Sequence, residues 1–344
     1  MTSIDHCQPD TRHAALAEAR RFSVAPMMDW TDRHCRYFHR QLTRQALLFT
    51  EMVTSAAIVH GDPERLLGFS EIEHPVAAQL GGSDPSELAE ATRIAASFGY
   101  DEINLNVGCP SDRVQSGRFG ACLMAEPGLV AECVRAMKGA TGLPVTVKCR
   151  IGIDDQDTEE SLDRFADLMV AAGADHLYVH ARKAWLKGLS PKENRTIPPL
   201  DYPRVYRLAE RLSPFKLSIN GGIETLDQAE GHLRHVAGVM LGRAAYHDPR
   251  LLAEIDHRFF GDAERNVSLP AIIATMAAYA EAELRGGARL NQITRHMLGI
   301  ANGRRGARAF RQILSVDACR KGAGPDVLFR ALAALEDAPA LEVA

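Results

Sequence analysis

The chain has 344 residues, 46% of them hydrophobic and 24% charged, with a formal net charge of −4. That is the profile of a globular protein able to bury a large core. No run approaches the roughly 18 to 20 apolar residues of a membrane-spanning helix, and residues 1–20 include Asp5 and Glu18 but no apolar signal core. The seven cysteines (7, 35, 109, 122, 133, 149 and 319) form no CxxC pair, so neither a disulfide framework nor a metal-ligand set can be read from them. The default setting is a reduced cytoplasm, with no membrane and no obligate protein partner. Residues 1–20 are expected to be a flexible segment.

Eight short apolar runs follow in chain order, at 22–27, 47–52, 76–81, 103–107, 145–149, 176–180, 217–220 and 238–242. Their starts lie 21 to 42 residues apart, about one strand–helix unit each. The segments between them read as helices. Asp84-Pro-Ser-Glu-Leu opens one with a cap residue, a proline at the first position and an acid in the first turn. Thr158-Glu-Glu-Ser-Leu opens another, with Leu162, Phe165, Ala166 and Met169 on one face and Gly173 as its stop. A third begins at Thr225. Eight alternating units predict an α/β fold, a (β/α)8 barrel over residues 21–250. A doubly wound open sheet is the competing architecture, but no GxGxxG follows the first strand.

Past residue 250 the strand pattern stops. Helical periodicity continues at 269–284, 290–300, 305–314 and 327–335, with glycines bounding the segments. This predicts a small all-α domain over 251–344. From Arg285 to Lys321 there are nine Lys or Arg residues and one acid, Asp317, a local excess of 9 − 1 = +8. An arginine-rich helix is often only a solvated face, yet so long a basic stretch in an acidic protein suggests a polyanionic partner.

Chemistry concentrates at the predicted strand ends, where barrel active sites are built. Cys109 sits in Gly108-Cys109-Pro110 just past the fourth strand, where the following proline leaves it little freedom. It is the first candidate for a reacting group, the competing reading being a small buried hydrophobe. Cys122 lies 13 residues further on and is the second choice. Asn220-Gly221-Gly222 follows strand seven and Gly242-Arg243 follows strand eight, the two loops that commonly bind a phosphate in such barrels. Lys148 inside strand five needs a partner, and could act covalently or as a fixed cation. Gln79 and His180 are further hydrogen-bonding candidates. Pro26, Met27 and Met28 could offer backbone amides and a soft thioether to a flat ring. Phosphate loops, a cation and an apolar platform suit flavin mononucleotide better than an aldolase substrate.

At this point the motifs coincide with a known family. The chain resembles the flavin-dependent tRNA-dihydrouridine synthases over nearly its whole length. The resemblance rests on Ala25-Pro-Met-Met-Asp-Trp-Thr-Asp, Thr50-Glu-Met and Glu73-His-Pro-Val-Ala-Ala-Gln-Leu-Gly-Gly-Ser. It also rests on Asn104-Leu-Asn-Val-Gly-Cys-Pro-Ser, Val145-Thr-Val-Lys, His180-Ala-Arg and Ser218-Ile-Asn-Gly-Gly-Ile. The run Lys183-Ala-Trp-Leu-Lys-Gly-Leu-Ser-Pro-Lys-Glu-Asn-Arg looks like the bacterial subgroup that modifies positions 20 and 20a of the tRNA D-loop. The resemblance implies that Pro26, Met27, Met28, Gln79, Lys148, His180, Asn220, Gly221, Gly222, Gly242 and Arg243 hold FMN. It implies further that Cys109 is the general acid, that Asn106 touches the target uracil, and that Lys192, Arg195, Arg308 and Arg311 contact tRNA.

The implied chemistry is a hydride from flavin, itself reduced by NADPH, to C6 of uracil and a proton from Cys109 to C5. Lys148 would stabilise the reduced ring, and Trp185 is a possible stacking residue. An FMN barrel reducing a free pyrimidine, on the dihydroorotate dehydrogenase pattern, is the alternative, and it would not need the basic helices.

Overall fold

The computed structural model describes residues 9–111, 117–265 and 267–336. Eight strands form one parallel sheet: β1 (Phe22–Val24), β2 (Leu48–Thr54), β3 (Val76–Gly81), β4 (Glu102–Val107), β5 (Val145–Arg150), β6 (His176–His180), β7 (Leu217–Asn220) and β8 (Gly238–Leu241). Their order is β1-β8-β7-β6-β5-β4-β3-β2. The two end strands meet where Ser23 bridges Leu47 in parallel, which makes the sheet a barrel with helices between its strands. All eight strands fall where the apolar runs predict them. β1 stops early because Pro26 has no N–H to extend the ladder, although the Ala25 amide still donates to the Leu241 carbonyl at 2.8 Å.

The helix starts are set by local chemistry. The Asp84 carboxylate accepts from the Glu87 amide at 2.7 Å above the helix Pro85–Ser97, and Thr225 forms a capping box with Gln228. The helix Glu160–Ala171 is started by Asp157, which accepts from the Glu159 and Glu160 amides; the expected opener, Thr158, is not its cap. Of the segment expected to be flexible, residues 1–8 lie outside the described residues, and Pro9–Ala19 forms a helix. Leu16 and Ala19 of that helix join Phe49, Ala77, Tyr178 and Met240 in one buried cluster.

The barrel's two faces invert the usual division. In register, Asn104 pairs Thr146, Asn106 pairs Lys148, Arg150 pairs His180 and His180 pairs Asn220. These polar residues share one face of the pleat. Lys148 Nζ reaches Asn220 Oδ1, two strands away, at 3.1 Å, which is possible only across the interior. Ile103, Leu105, Val107, Val145 and Val147 occupy the outward face and are fully buried. Close packing extends to Gly238, where an added Cβ would lie 2.1 Å from the Arg20 carbonyl oxygen and 2.4 Å from Ser218 Oγ. Gly238→Ala should therefore cost about 1–3 kcal/mol of stability, measured by urea unfolding; wild-type stability would contradict so tight an approach.

The chain divides into two compact units. One comprises residues 1–31 and 45–242, and contains the barrel. The other comprises residues 243–344 together with 32–44, a segment that lies between β1 and β2 in sequence. The sequence reading ends the barrel at residue 250 and leaves 32–44 within it; the compact units divide at Gly242 and place that segment in the helical unit. Here the helix Arg33–Leu42 stacks Tyr37 on Tyr279 at 3.8 Å, and Asp32 binds Arg295 and His296 at 2.9 and 3.0 Å. The remaining long helices of this unit are Leu252–Phe260, Leu269–Arg285, Ala307–Val316 and Asp326–Glu336. The helix expected over 290–300 spans only Leu290–Thr294. Beyond it Gly299 packs against the His247 carbonyl, which would stand 2.3 Å from any Cβ.

Candidate active site

The carboxyl ends of all eight strands open on one side of the barrel, and the predicted site residues of this unit fall on or next to them. Cys109 follows β4 and is half-buried. Its backbone is fixed at both ends: its amide donates to Asn106 Oδ1 at 3.0 Å, and its carbonyl accepts from the Ala121 amide at 2.9 Å. The Gly108 amide donates to the same Asn106 oxygen at 3.1 Å. Its Sγ lies 3.5 Å from Ser111 Oγ.

Cys122 lies in the short helix Gly120–Ala125. Its thiol donates to the Phe119 carbonyl at 3.1 Å, and burial pushes its pKa up.

Lys148 projects into the barrel and is pushed down to about 8, chiefly by burial and then by the neighbouring Arg150. Asn220, its partner, donates to the Met240 carbonyl at 2.7 Å, so the acceptor is held by β8 backbone. His180 closes β6, and its ring lies against Gly221, where a Cβ would come within 3.0 Å of Nε2. Gly221 and Gly222 adopt φ of +110° and +68°, which suits glycine and turns the chain sharply after β7. The Tyr202 hydroxyl donates to the Gly221 carbonyl at 2.8 Å. After β1, the Met27 amide donates to Thr31 Oγ1 at 2.9 Å, and Met28 is 54% exposed. Gly242 lies near Met27 and Ala25; Arg243 comes next in the chain and opens the five-residue helix Arg243–His247. A buried cation, glycine turns after β7 and an exposed thioether fit a flat group that carries a phosphate and a negative charge.

Gln79 and Asn106 are brought together, but their carboxamides are already engaged. Asn106 Nδ2 donates to Gln79 Oε1, and Gln79 Nε2 donates to Asn104 Oδ1, both at 2.8 Å. Lys192 and Arg195 are exposed on the loop after β6, at the short helix Glu193–Arg195. That loop is closed by the buried Asn194, which bonds the Trp185 amide and carbonyl at 2.8 Å each. Arg308 and Arg311 are exposed on the helix Ala307–Val316, whose Phe310 and Leu314 are buried. Part of the basic excess in this region is neutralised locally, since Arg295 pairs with Asp32 and Arg320 with Asp317.

Sequence reasoning missed Arg150. It is almost fully buried at the end of β5 and donates to the carbonyls of Gly108, Lys183 and Asn194 at 3.0, 3.1 and 2.9 Å. One planar guanidinium thus ties the Cys109 loop to the loop carrying Lys192. Burial pushes it down to about 10. The available signal was its position two residues beyond Lys148, on the same face of β5.

A braced thiol and a buried lysine at the carboxyl rim of a parallel barrel mark the chain as an enzyme of the (β/α)8 class. Two solved structures share that fold: an old yellow enzyme homologue from Zymomonas mobilis (TM-score 0.52, 13% identity, 73% of this chain and 92% of that one) and a 2-naphthoyl-CoA reductase (TM-score 0.52, 11% identity, 68% and 49%). The family model described as "Dihydrouridine synthase (Dus)" matches residues 23–334, and the chain belongs to that family. Relatives named tRNA-dihydrouridine(20/20a) synthase include those of Shewanella oneidensis (58% identity, 90% of this chain and 92% of the relative) and Salmonella typhi (56%, 96% and 99%). That of Escherichia coli K12 is 56% identical, with 92% of both chains covered.

Proposed function

We propose that the chain is a tRNA-dihydrouridine synthase that reduces the C5–C6 double bond of uridines 20 and 20a in the D-loop of cytoplasmic tRNA, with Cys109 as the proton donor. The observation that carries this reading is the bracing of Cys109 just past the carboxyl end of β4 by Asn106, which pairs in register with Lys148. FMN reduced by NADPH would supply the hydride at C6 of the uracil. Pro26 to Met28, Gln79, Lys148, His180 and Asn220 to Gly222 would hold that cofactor, with Gly242 and Arg243 at its phosphate. The Cys109 thiol gives its proton to C5 as negative charge develops on the ring. Asn106 faces the uracil side of the site while its oxygen holds the Cys109 amide in place.

To reach this site the uridine must leave its stack, at a cost of about a few kcal/mol that a loop target keeps small. Lys192 and Arg195 on the barrel loop, and Arg308 and Arg311 on the helical unit, contact the tRNA backbone. Replacing Arg308 and Arg311 together by alanine should weaken tRNA binding and flatten the plot of log affinity against log salt by about one unit per lost phosphate contact. An unchanged slope in a salt titration would remove them from the interface.

The deciding experiment is anaerobic reoxidation of the photoreduced, flavin-loaded protein by unmodified tRNA. Rapid reoxidation with dihydrouridine appearing at positions 20 and 20a supports the proposal. Reoxidation by free uridine or orotate, and not by tRNA, replaces it with a pyrimidine-reducing barrel.

A further inference from the structure

Beneath Cys109 a series of buried side chains runs through the barrel, and its two ends agree on one polarity. At the lower end stands Glu102, fully buried, whose Oε2 accepts from Arg20 Nε at 2.8 Å and from the Tyr178 hydroxyl at 3.4 Å. A carboxylate can only accept, so the Thr146 hydroxyl donates to Glu102 Oε1. Thr146 is left with a lone pair for Asn104 Nδ2, at 2.8 Å. Asn104 Oδ1 then faces Gln79 Nε2, and Gln79 Oε1 faces Asn106 Nδ2. Asn106 Oδ1 is therefore the atom presented to the Gly108 and Cys109 amides. Those two N–H groups can only donate. Reversing any one of the three buried carboxamides would set N–H against N–H or oxygen against oxygen, where unmade bonds are costly.

We propose that Glu102 and Thr146 are positioning residues for Cys109, orienting its loop through Asn104, Gln79 and Asn106; this rests on Cys109 as the proton donor. Neither residue touches the reacting atoms. Glu102 opens β4 and Thr146 is the second residue of β5, at the opposite end of the strands from the thiol. Their contribution is to make the oxygen of Asn106, and not its NH2 group, the atom beneath the Cys109 amide.

The lower end can be altered. In Glu102→Gln the Arg20 guanidinium still requires an oxygen, so the new NH2 group meets Thr146, and the hydroxyl loses the acceptor that fixed its proton and with it the polarity of the series. Thr146→Val cuts the series without changing charge or shape, and Thr146→Ser restores the hydroxyl. With FMN and tRNA saturating, Thr146→Val should lower kcat for dihydrouridine formation about 10- to 100-fold with KM for tRNA within about twofold. Thr146→Ser should return kcat to near wild type. Alkylation of Cys109 by iodoacetamide, followed by mass spectrometry, should change at least about threefold in Thr146→Val and Glu102→Gln, while Cys122 labels at its wild-type rate.

Wild-type kcat and Cys109 labelling in Thr146→Val would overturn the proposal. So would a parallel change at Cys122, which signals general loosening, or a Thr146→Ser variant as impaired as the valine. Should Glu102→Gln not fold, the Thr146 pair carries the test. If the wild-type protein forms no dihydrouridine, the functional reading fails; the alkylation rates need no substrate and still decide whether the buried series sets the thiol.

Discussion

Cys109→Ala is expected to lower dihydrouridine formation by about 10²- to 10⁴-fold, the range of a lost general acid, and to leave flavin bound. The two parts of this outcome have separate structural causes. The loop is held through the Cys109 amide and carbonyl and through Arg150 on the Gly108 carbonyl, and none of these bonds involves the thiol. An alanine therefore keeps the loop in place and removes only the proton. Cys122→Ala supplies the contrast. Its thiol is turned to the Phe119 carbonyl and burial raises its pKa, so its loss should leave turnover within about threefold of wild type. Single-turnover assays with pre-reduced protein separate these cases from defects in flavin reduction. A Cys109→Ala protein that turns over normally, or one that loses its flavin, would exclude the role assigned to the thiol.

Lys148→Met is expected to weaken flavin binding by about 1.5–3 kcal/mol, roughly 10- to 150-fold, the range for a hydrogen bond to a charged group. The pH dependence makes the test sharper. Without an anion beside it Lys148 sits at about 8, below the ordinary lysine value of 10.5, because burial penalises its charge. A negatively charged cofactor favours the protonated form and raises that value. Affinity should then be flat below pH 8 and fall above it, by at most about tenfold per pH unit. The cofactor-free protein should show the opposite sign. Between pH 8 and 10.5 the unfolded chain holds the lysine proton more firmly than the folded one, so this group's contribution to folding stability rises with pH. Fluorescence titration of FMN at several pH values checks the first trend and urea unfolding checks the second. Lys148→Met should abolish both; a wild-type pH profile in that variant would place the cation elsewhere.

The eight strands were legible because their apolar residues alternate and are punctuated by glycine and proline, a local signal that the barrel preserves. Cys109, Lys148, Asn220 and the glycine turn after β7 were legible for the same reason, as departures from that pattern at strand ends. The polar interior was not. Glu102, Asn104 and Asn106 alternate with Ile103, Leu105 and Val107, and alternation alone reads as a strand with one wet face. Here the polar face is the enclosed one, and only closure of the sheet from β1 to β2 decides that. Arg150 was hidden likewise, since its partners are three carbonyls on two loops more than 30 positions away. The placing of residues 32–44 had no local signal at all, because Thr43 and Tyr37 find Asp256 and Tyr279 more than 200 positions later.

That last feature bears on how the protein is made. The segment 32–44 leaves the ribosome within the first seventh of the chain, while the residues it folds with, from Asp256 to His296, are among the last third. At typical synthesis rates of about 5–20 residues per second the interval is on the order of tens of seconds. Throughout it the segment lacks the late partners of Tyr37, Thr43 and Asp32, namely Tyr279, Asp256 and His296, and is open to chaperones and to aggregation. The helical unit is therefore not a cassette that can be trimmed away or moved to another barrel by cutting at Gly242. Exchange of this unit between proteins requires three cuts in the gene, on either side of residues 32–44 and after Gly242, and a frameshift late in translation strands a helix completed near its beginning.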